Sequence, residues 1–212
     1  MNVVELRRYA LRPGRRDDLI SLFEREFVES QERCGIRLIG WYRDLDDPDA
    51  FVWFRGFDSM TQRAQALSAF YERSPSWLEN RDAANATMID SDNVLLLRPA
   101  RSGSGFDAGT RKRADMLAAV SIFMLPEPAD EAYVAAFERN AGPRLEDIAE
   151  SVAYFVTDPS PNTFPRLPVR EGEWAFVVTG LCSSAQAVEE WHAILNAPES
   201  LRLEPTGISC RR

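Results

Sequence analysis

The sequence predicts an α+β protein of two ferredoxin-like βαββαβ halves whose antiparallel sheets close on each other into a barrel. Three observations predict it. Strand-period and helix-period segments follow the same order twice along the 212 residues. A Gly- and Ser-rich stretch over 101–109 separates the two rounds, giving a domain over 1–100 and a second, diverged one over 110–212. Both faces of the predicted sheets carry large apolar side chains, so neither face suits water.

In the first round, Val3–Leu11 alternates as a strand, with Val4 and Leu6 on one face and Glu5, Arg7 and Tyr9 on the other. Pro13-Gly14 breaks it. Leu19, Phe23 and Phe27 then recur at helical spacing, Cys34 continues the stripe, and Gly35 stands at the expected C-terminal cap. Ile36–Arg43 is a second strand, Asp44–Asp49 a turn and Phe51–Phe57 a third strand. Asp58 or Ser59 caps a helix with the stripe Met60, Ala64, Leu67, Tyr71. Pro75 breaks it before a helical piece over Trp77–Thr87, and Asn93–Arg98 is the fourth strand.

The second round repeats the order. Met116–Leu125 is a strand, Asp130 caps a helix carrying Tyr133, Phe137 and Ala141, and Ser151–Thr157 is a strand. A Pro-rich loop spans Asp158–Gly172 before the strand Glu173–Gly180. Ser183 or Ser184 caps a helix with Val188, Trp191 and Leu195, and Leu201–Cys210 is a last strand bent at Pro205 and Gly207. Arg55-Gly56-Phe57-Asp58-Ser59 matches Thr179-Gly180-Leu181-Cys182-Ser183, and the same offset sets Leu67 on Trp191. Such a match reads as an internal duplication.

Two half-barrels bury their bare faces most simply on each other. Burial between two chains is the rival solution, and a homo-oligomer, a dimer, is expected. Alternation puts Arg7, Tyr9, Trp41, Arg43, Trp53 and Arg55 on the face predicted to line the barrel. Guanidinium groups beside indole and phenol rings suit an anionic or aromatic small molecule. The second half supplies mainly apolar groups, so the candidate site leans toward the first. The plain alternative is an Arg/aromatic stack that fills the barrel and pairs with Glu5 and Asp90 or Asp92. The polar segment Arg81–Asn93 adds Asn85 and Asp92 as candidate binding residues. Asp90-Ser91-Asp92-Asn93 reads either as an Asx turn or as a source of a base or anchor for Arg43 or Arg55.

Composition excludes several classes. A net charge of −8 argues against a nucleic-acid partner. No apolar run is long enough to span a membrane, and the N-terminus opens into a strand with no apolar leader. Cys34, Cys182 and Cys210 have no metal-ligand spacing and read as free thiols in a reducing cytosol. A single D-x-D carries no metal site by itself. With one histidine, His192, no catalytic triad can be assembled, and no phosphate-binding glycine loop is present. No metal and no cofactor is expected.

The segments VVELRRYALRPG (Val3–Gly14), DLDDPDAFVWFRGF (Asp44–Phe57), FYERSPSW (Phe70–Trp77) and RDAANATMIDSDNVLLLRP (Arg81–Pro99) resemble the NIPSNAP family of the dimeric α+β barrel superfamily. The resemblance covers most of residues 1–100 and implies a ferredoxin-like unit that pairs with another. It implies no reaction. Some superfamily members that handle haem place an axial histidine on the second helix of a repeat, which makes haem ligation by His192 the one cofactor alternative.

Two functional readings follow. One is a NIPSNAP-type barrel of unassigned activity that binds a small ligand or a protein partner. The other is a cofactor-independent oxygenase or isomerase acting on an aromatic or carboxylated molecule in the barrel cavity, with Tyr9 or Asp92 moving a proton.

Overall fold

The structure, a computed structural model, describes residues 1–106 and 115–206. Cys210, Gly207 and the end of the 101–109 segment lie outside the described residues. The first unit runs β1 (Val3–Leu11), α1 (Arg16–Leu22), a π turn (Phe23–Phe27), α2 (Val28–Arg33), β2 (Arg37–Asp44) and β3 (Ala50–Phe57). It continues with α3 (Met60–Ser68), a second π turn (Ala69–Arg73), α4 (Pro75–Asn85), β4 (Met88–Asp90) and β5 (Val94–Pro99). The second unit is β6 (Leu117–Leu125), α5 (Glu131–Asn140), α6 (Gly142–Glu146), β7 (Ser151–Thr157), β8 (Trp174–Cys182), α7 (Ala185–Leu195) and β9 (Glu199–Pro205).

Each unit is an antiparallel sheet with its first and third strands central, ordered β5-β1-β3-β2 and β9-β6-β8-β7. The edges meet. β2 pairs with β9 through Tyr42–Asp44, and β5 pairs with β7 through Leu97–Pro99. These two seams close eight strands into one barrel, with β4 added beside the end of β1. Closure therefore occurs within one chain, and it consumes the open strand edges that would otherwise recruit another sheet. Ser104 extends the second seam: its carbonyl accepts from Tyr154 N at 2.8 Å and its hydroxyl donates to Tyr154 O at 2.9 Å.

Alternation along the strands sends the two sets of side chains to separate cores. Val4, Leu6, Val52, Phe54, Val120, Ile122, Phe155, Val177 and Leu203 pack together inside the barrel. Phe106 stacks on Phe54 and Phe155 at one end, where a void of about 20 Å³ is left, room for about one water. The opposite faces pack under the helices, one core for each unit.

This reverses the face assignment made from the sequence. Arg7, Tyr9, Trp41, Trp53 and Arg55 do share one face, but it is the face under the helices of the first unit. The barrel interior took the mainly apolar set, with Arg8 paired to Asp44 and Glu199, while Arg7 and Arg55 found their carboxylate in Glu5 on the same face of the sheet, under the helices. The capping serines correct the repeat by one residue. Ser59 and Ser184 are the N-caps of α3 and α7, accepting from Gln62 N and Ala187 N. Matching them sets Arg55 against Gly180, whereas the glycine match set Gly56 there and put opposite faces together.

Two further differences are local. Pro75 opens α4 as a first-turn residue, where its missing N–H costs nothing. β4 is an additional short strand, formed where Ala10 and Leu11 pair with Asp90 and Met88 across a bulge in β1.

Candidate functional site

The helix layer of the first unit does not pack solidly on its sheet. It leaves a cavity of about 250 Å³. The floor is Tyr9, Phe51 and Trp53 from β1 and β3. The walls are Leu19, Phe23, Phe27 and Gln31 from the first helical run, and Phe70, Tyr71, Trp77 and Ala84 from the second. Both runs carry a π turn where they face the cavity, at Phe23–Phe27 and Ala69–Arg73. A π turn inserts a residue into the helix and re-aims the side chains beyond it, and it is frequent at functional sites. The aromatic wall is held edge to face. Phe23 meets Trp53 at 5.1 Å, Phe70 meets Tyr71 at 4.8 Å, and Tyr71 meets Trp77 at 4.8 Å between ring centroids.

The remaining wall comes from the other unit. The Pro-rich loop between β7 and β8 crosses over and contributes Phe164, Arg166 and Leu167. Phe164 is buried against Tyr71, and Arg166 pairs with Glu72 at 3.3 Å. Exposed Asn85 and Arg166, with half-buried Ser91, form the mouth.

Behind the floor lies a buried ion cluster. Glu5 accepts from Arg7 Nη1 at 2.6 Å and Arg55 Nε at 2.7 Å on one oxygen, and from Arg63 Nε at 2.6 Å on the other. All four side chains are fully buried. Burial by itself would raise the Glu5 pKa, but Arg55, Arg7 and Arg63 override it and hold the carboxyl well below its ordinary range. Three guanidiniums face one carboxylate, so the cluster carries two surplus positive charges. Their remaining N–H groups reach outward. Arg7 Nε donates to the Tyr9 hydroxyl at 3.0 Å, and Arg55 Nη1 donates to the Tyr71 hydroxyl at 3.2 Å. Arg63 Nη1 donates to Asn162 and Thr163 on the crossing loop at 3.0 and 3.2 Å, which ties that loop to the cluster. Arg7 Nη2 and Arg63 Nη2 are buried without a hydrogen-bond partner. Arg55 also stacks over Trp53 at 5.0 Å and Arg7 over Tyr9 at 5.4 Å.

The two tyrosines thus stand between cluster and cavity. Each hydroxyl oxygen accepts from an arginine. Among the described residues, neither phenolic proton is given to a protein acceptor. Burial pushes the Tyr9 pKa up against the pull of Arg7, so this phenol keeps its proton at neutral pH. Two more polar atoms on cavity-lining residues are buried without partners, Gln31 Oε1 and Trp53 Nε1.

Among the candidates singled out from the sequence, Tyr9, Trp53 and Asn85 line the cavity. Arg7 and Arg55 stand behind it. Trp41 lies beside it, with its indole N–H on Glu24 at 3.0 Å. Arg43 is at the rim of the sheet, paired with Asp17 at 2.7 Å. Asp92 is exposed, and its backbone N–H bonds the Asp90 carboxylate at 2.7 Å in an Asx turn. Neither Asp90 nor Asp92 pairs with the buried arginines, which Glu5 satisfies instead. Sequence reasoning missed Arg63, Gln31, Tyr71 and the crossing loop. Arg63 was within reach, since it stands three residues after Met60 and four before Leu67, on the buried stripe of α3.

Among the described residues no group of three or more His, Cys, Asp or Glu is placed to hold a metal ion. His192 sits half-buried on α7, on the other unit, and burial lowers its pKa. The space beneath that helix is filled by Trp191, fully buried with its indole N–H on Ser121 at 3.2 Å. His192 Nε2 is itself buried without a hydrogen-bond partner. No helix of the described residues is long and apolar enough to cross a membrane.

Fold and site define a single-chain α+β barrel of two ferredoxin-like units, one of which encloses a ligand-sized aromatic cavity. Residues 4–102, nearly all of the first unit, match the model of the NIPSNAP family. Among solved structures, a putative monooxygenase from Fusobacterium nucleatum subsp. nucleatum ATCC 25586 is similar over 97% of this chain and 92% of its own, with TM-score 0.60 and 8% identity. A putative monooxygenase from Lactobacillus acidophilus NCFM is similar over 96% and 93%, with TM-score 0.56 and 11% identity. At that identity the likeness concerns the fold alone. A NIPSNAP-like domain protein from Burkholderia xenovorans matches 49% of this chain and 89% of its own at 26% identity and TM-score 0.43. No curated protein matches the chain.

Proposed function

We propose that this protein binds a small aromatic molecule of one or two rings in the cavity between the first sheet and its helices. One observation carries the reading: a cavity of about 250 Å³ walled by aromatic rings, with two tyrosine hydroxyls backed by buried arginines on one side. Ligand pockets are commonly apolar enclosures with a few placed polar groups that fix orientation. The free thiols of Cys34 and Cys182 suit a reducing compartment, and we place the protein in the cytosol.

A thermal-shift screen of one- and two-ring phenols and aromatic acids tests the reading. Ala84 is fully buried in the wall, and Ala84→Phe would fill the cavity. Hits that stabilise the wild type and vanish in Ala84→Phe support the site. Hits that survive the substitution put binding elsewhere.

Catalysis on the same ligand is the second reading. Its motive is the full-length likeness in fold to two proteins described as putative monooxygenases. Among the described lining residues there is no Asp, Glu, His or Cys, so a proton-transfer role would fall to Tyr9 or Tyr71. Aerobic incubation of each screening hit, followed by mass spectrometry, decides between turnover and binding alone.

A further inference from the structure

The ligand's chemical state follows from the arrangement around the two tyrosines. We infer that the site takes its ligand as an oxyanion, the conjugate base of a phenol or enol, with the charged oxygen between the Tyr9 and Tyr71 hydroxyls. This inference rests on the cavity reading above and goes further by naming the form that is bound.

The geometry supports it in three ways. Each tyrosine oxygen is already an acceptor, from Arg7 Nε at 3.0 Å and Arg55 Nη1 at 3.2 Å. The phenolic proton is therefore the group left to offer a ligand. A hydroxyl whose oxygen accepts from a cation is polarised and donates more strongly, so the two phenols pass the influence of the arginines into the cavity. The charges behind them are unbalanced, with Arg7, Arg55 and Arg63 set against Glu5 alone. A buried surplus of positive charge favours whatever anion can approach it. The other charged groups near the cavity, Arg166 and Glu72, pair with each other at the mouth. Gln31 Oε1 gives the cavity an unpartnered acceptor that suits a second hydroxyl or an N–H on the ligand. The proton balance is simple. The ligand's proton leaves to solvent on binding, and no other covalent bond changes.

4-Nitrophenol is a suitable probe, because its phenolate absorbs visibly and its phenol does not, and 4-nitrotoluene is a neutral molecule of the same shape. The protein is titrated with each, well below the pH at which free 4-nitrophenol ionises. Binding is followed by calorimetry and the phenolate band by absorption. We expect the phenolate band to appear on binding. Hydrogen bonds to a charged group should make 4-nitrophenolate bind about ten- to a hundred-fold tighter than 4-nitrotoluene. Tyr9→Phe and Tyr71→Phe should each remove most of that preference, and the Tm and circular-dichroism spectrum of each variant report that it folds. If both probes bind equally and no band appears, the oxyanion inference is overturned while the cavity reading stands. If the band persists in both variants, the tyrosines are not its source. If neither probe binds, the cavity reading itself fails.

Discussion

The two units share one fold and treat the space under their helices in opposite ways. Strand pairing sets Glu5 opposite Arg55 and Arg7 opposite Trp53 in the first unit. The corresponding pairs in the second are Ala119 with Gly180 and Ser121 with Val178. Matching the helix caps sets Arg63 against Val188. Every member of the ion cluster thus has a small or apolar counterpart. The room left by Gly180 is taken by Trp191, whose ring lies 2.4 Å from where a Cβ on that glycine would sit. Phe137, Tyr154 and Phe176 complete a solid core. The first unit instead props its helices off the sheet with paired arginines, aromatic rings and two π turns, and keeps a cavity. The second unit lends it the loop that closes the wall. Specialisation of one repeat and filling of the other is the economical division for a duplicated barrel, because a single site needs one void and a stable partner.

Five substitutions test this contrast. Glu5→Gln should have the largest effect. It leaves three buried guanidiniums without a carboxylate, which we expect to cost about 3–5 kcal/mol in denaturant unfolding, if the variant folds at all. Ala119→Ser, at the matching place in the second unit, should cost far less. Trp191→Ala should cost a similar 3–5 kcal/mol by opening a void in the solid core. Gly180→Ala should cost about 1–3 kcal/mol by overpacking against Trp191, read as a lowered Tm. Gln31→Met should be near neutral or stabilising by up to about 1 kcal/mol, because it replaces a buried oxygen that has no partner. A large loss there would mean that the cavity wall is as tightly packed as the second core.

The pH dependence carries the same signature. The Glu5 carboxyl is held below its ordinary value of 4.5, so its contribution to stability is complete above that value. As pH falls further the unfolded chain takes up the proton first, and stability declines until the folded carboxyl is protonated too. Wild-type protein should therefore lose stability on acidification below about pH 4.5. Any Glu5→Gln protein that folds should lose less over the same range. Equal slopes in a series of denaturant titrations would remove Glu5 from its central place.

Much of the fold was legible because it rests on local patterning. The strand and helix order and the barrel follow from periodicity and from apolar residues on both strand faces, and Ser59 and Ser184 were each one of two capping candidates. The choice of which face turns inward was not legible. Alternation says that Arg7, Trp53 and Arg55 share a face with Glu5, but the sequence does not say whether that face meets the other sheet or its own helices. The content of the two cores decides it. Val4, Leu6, Val52 and Phe54 match the apolar inward set of the second unit, whereas the arginines find a carboxylate and two phenols only under α3 and its π turn. Tyr71 and Arg63 belong to that same helical run, and the Phe164–Leu167 wall comes from some 100 positions away in sequence, as the Arg63–Thr163 bond shows. Contacts of that separation leave no local periodicity to read.

As proposed, the ligand site lies between the first sheet and its helices, while the barrel interior is filled. Crystals soaked with a brominated phenol test it most directly, through the anomalous signal of bromine. We expect a single strong peak among Phe23, Phe70 and Trp77, with the phenol oxygen directed at Tyr9 and Tyr71. A peak inside the barrel beside Phe54 and Val177, or a soaked crystal with the first-unit cavity empty, would contradict the account.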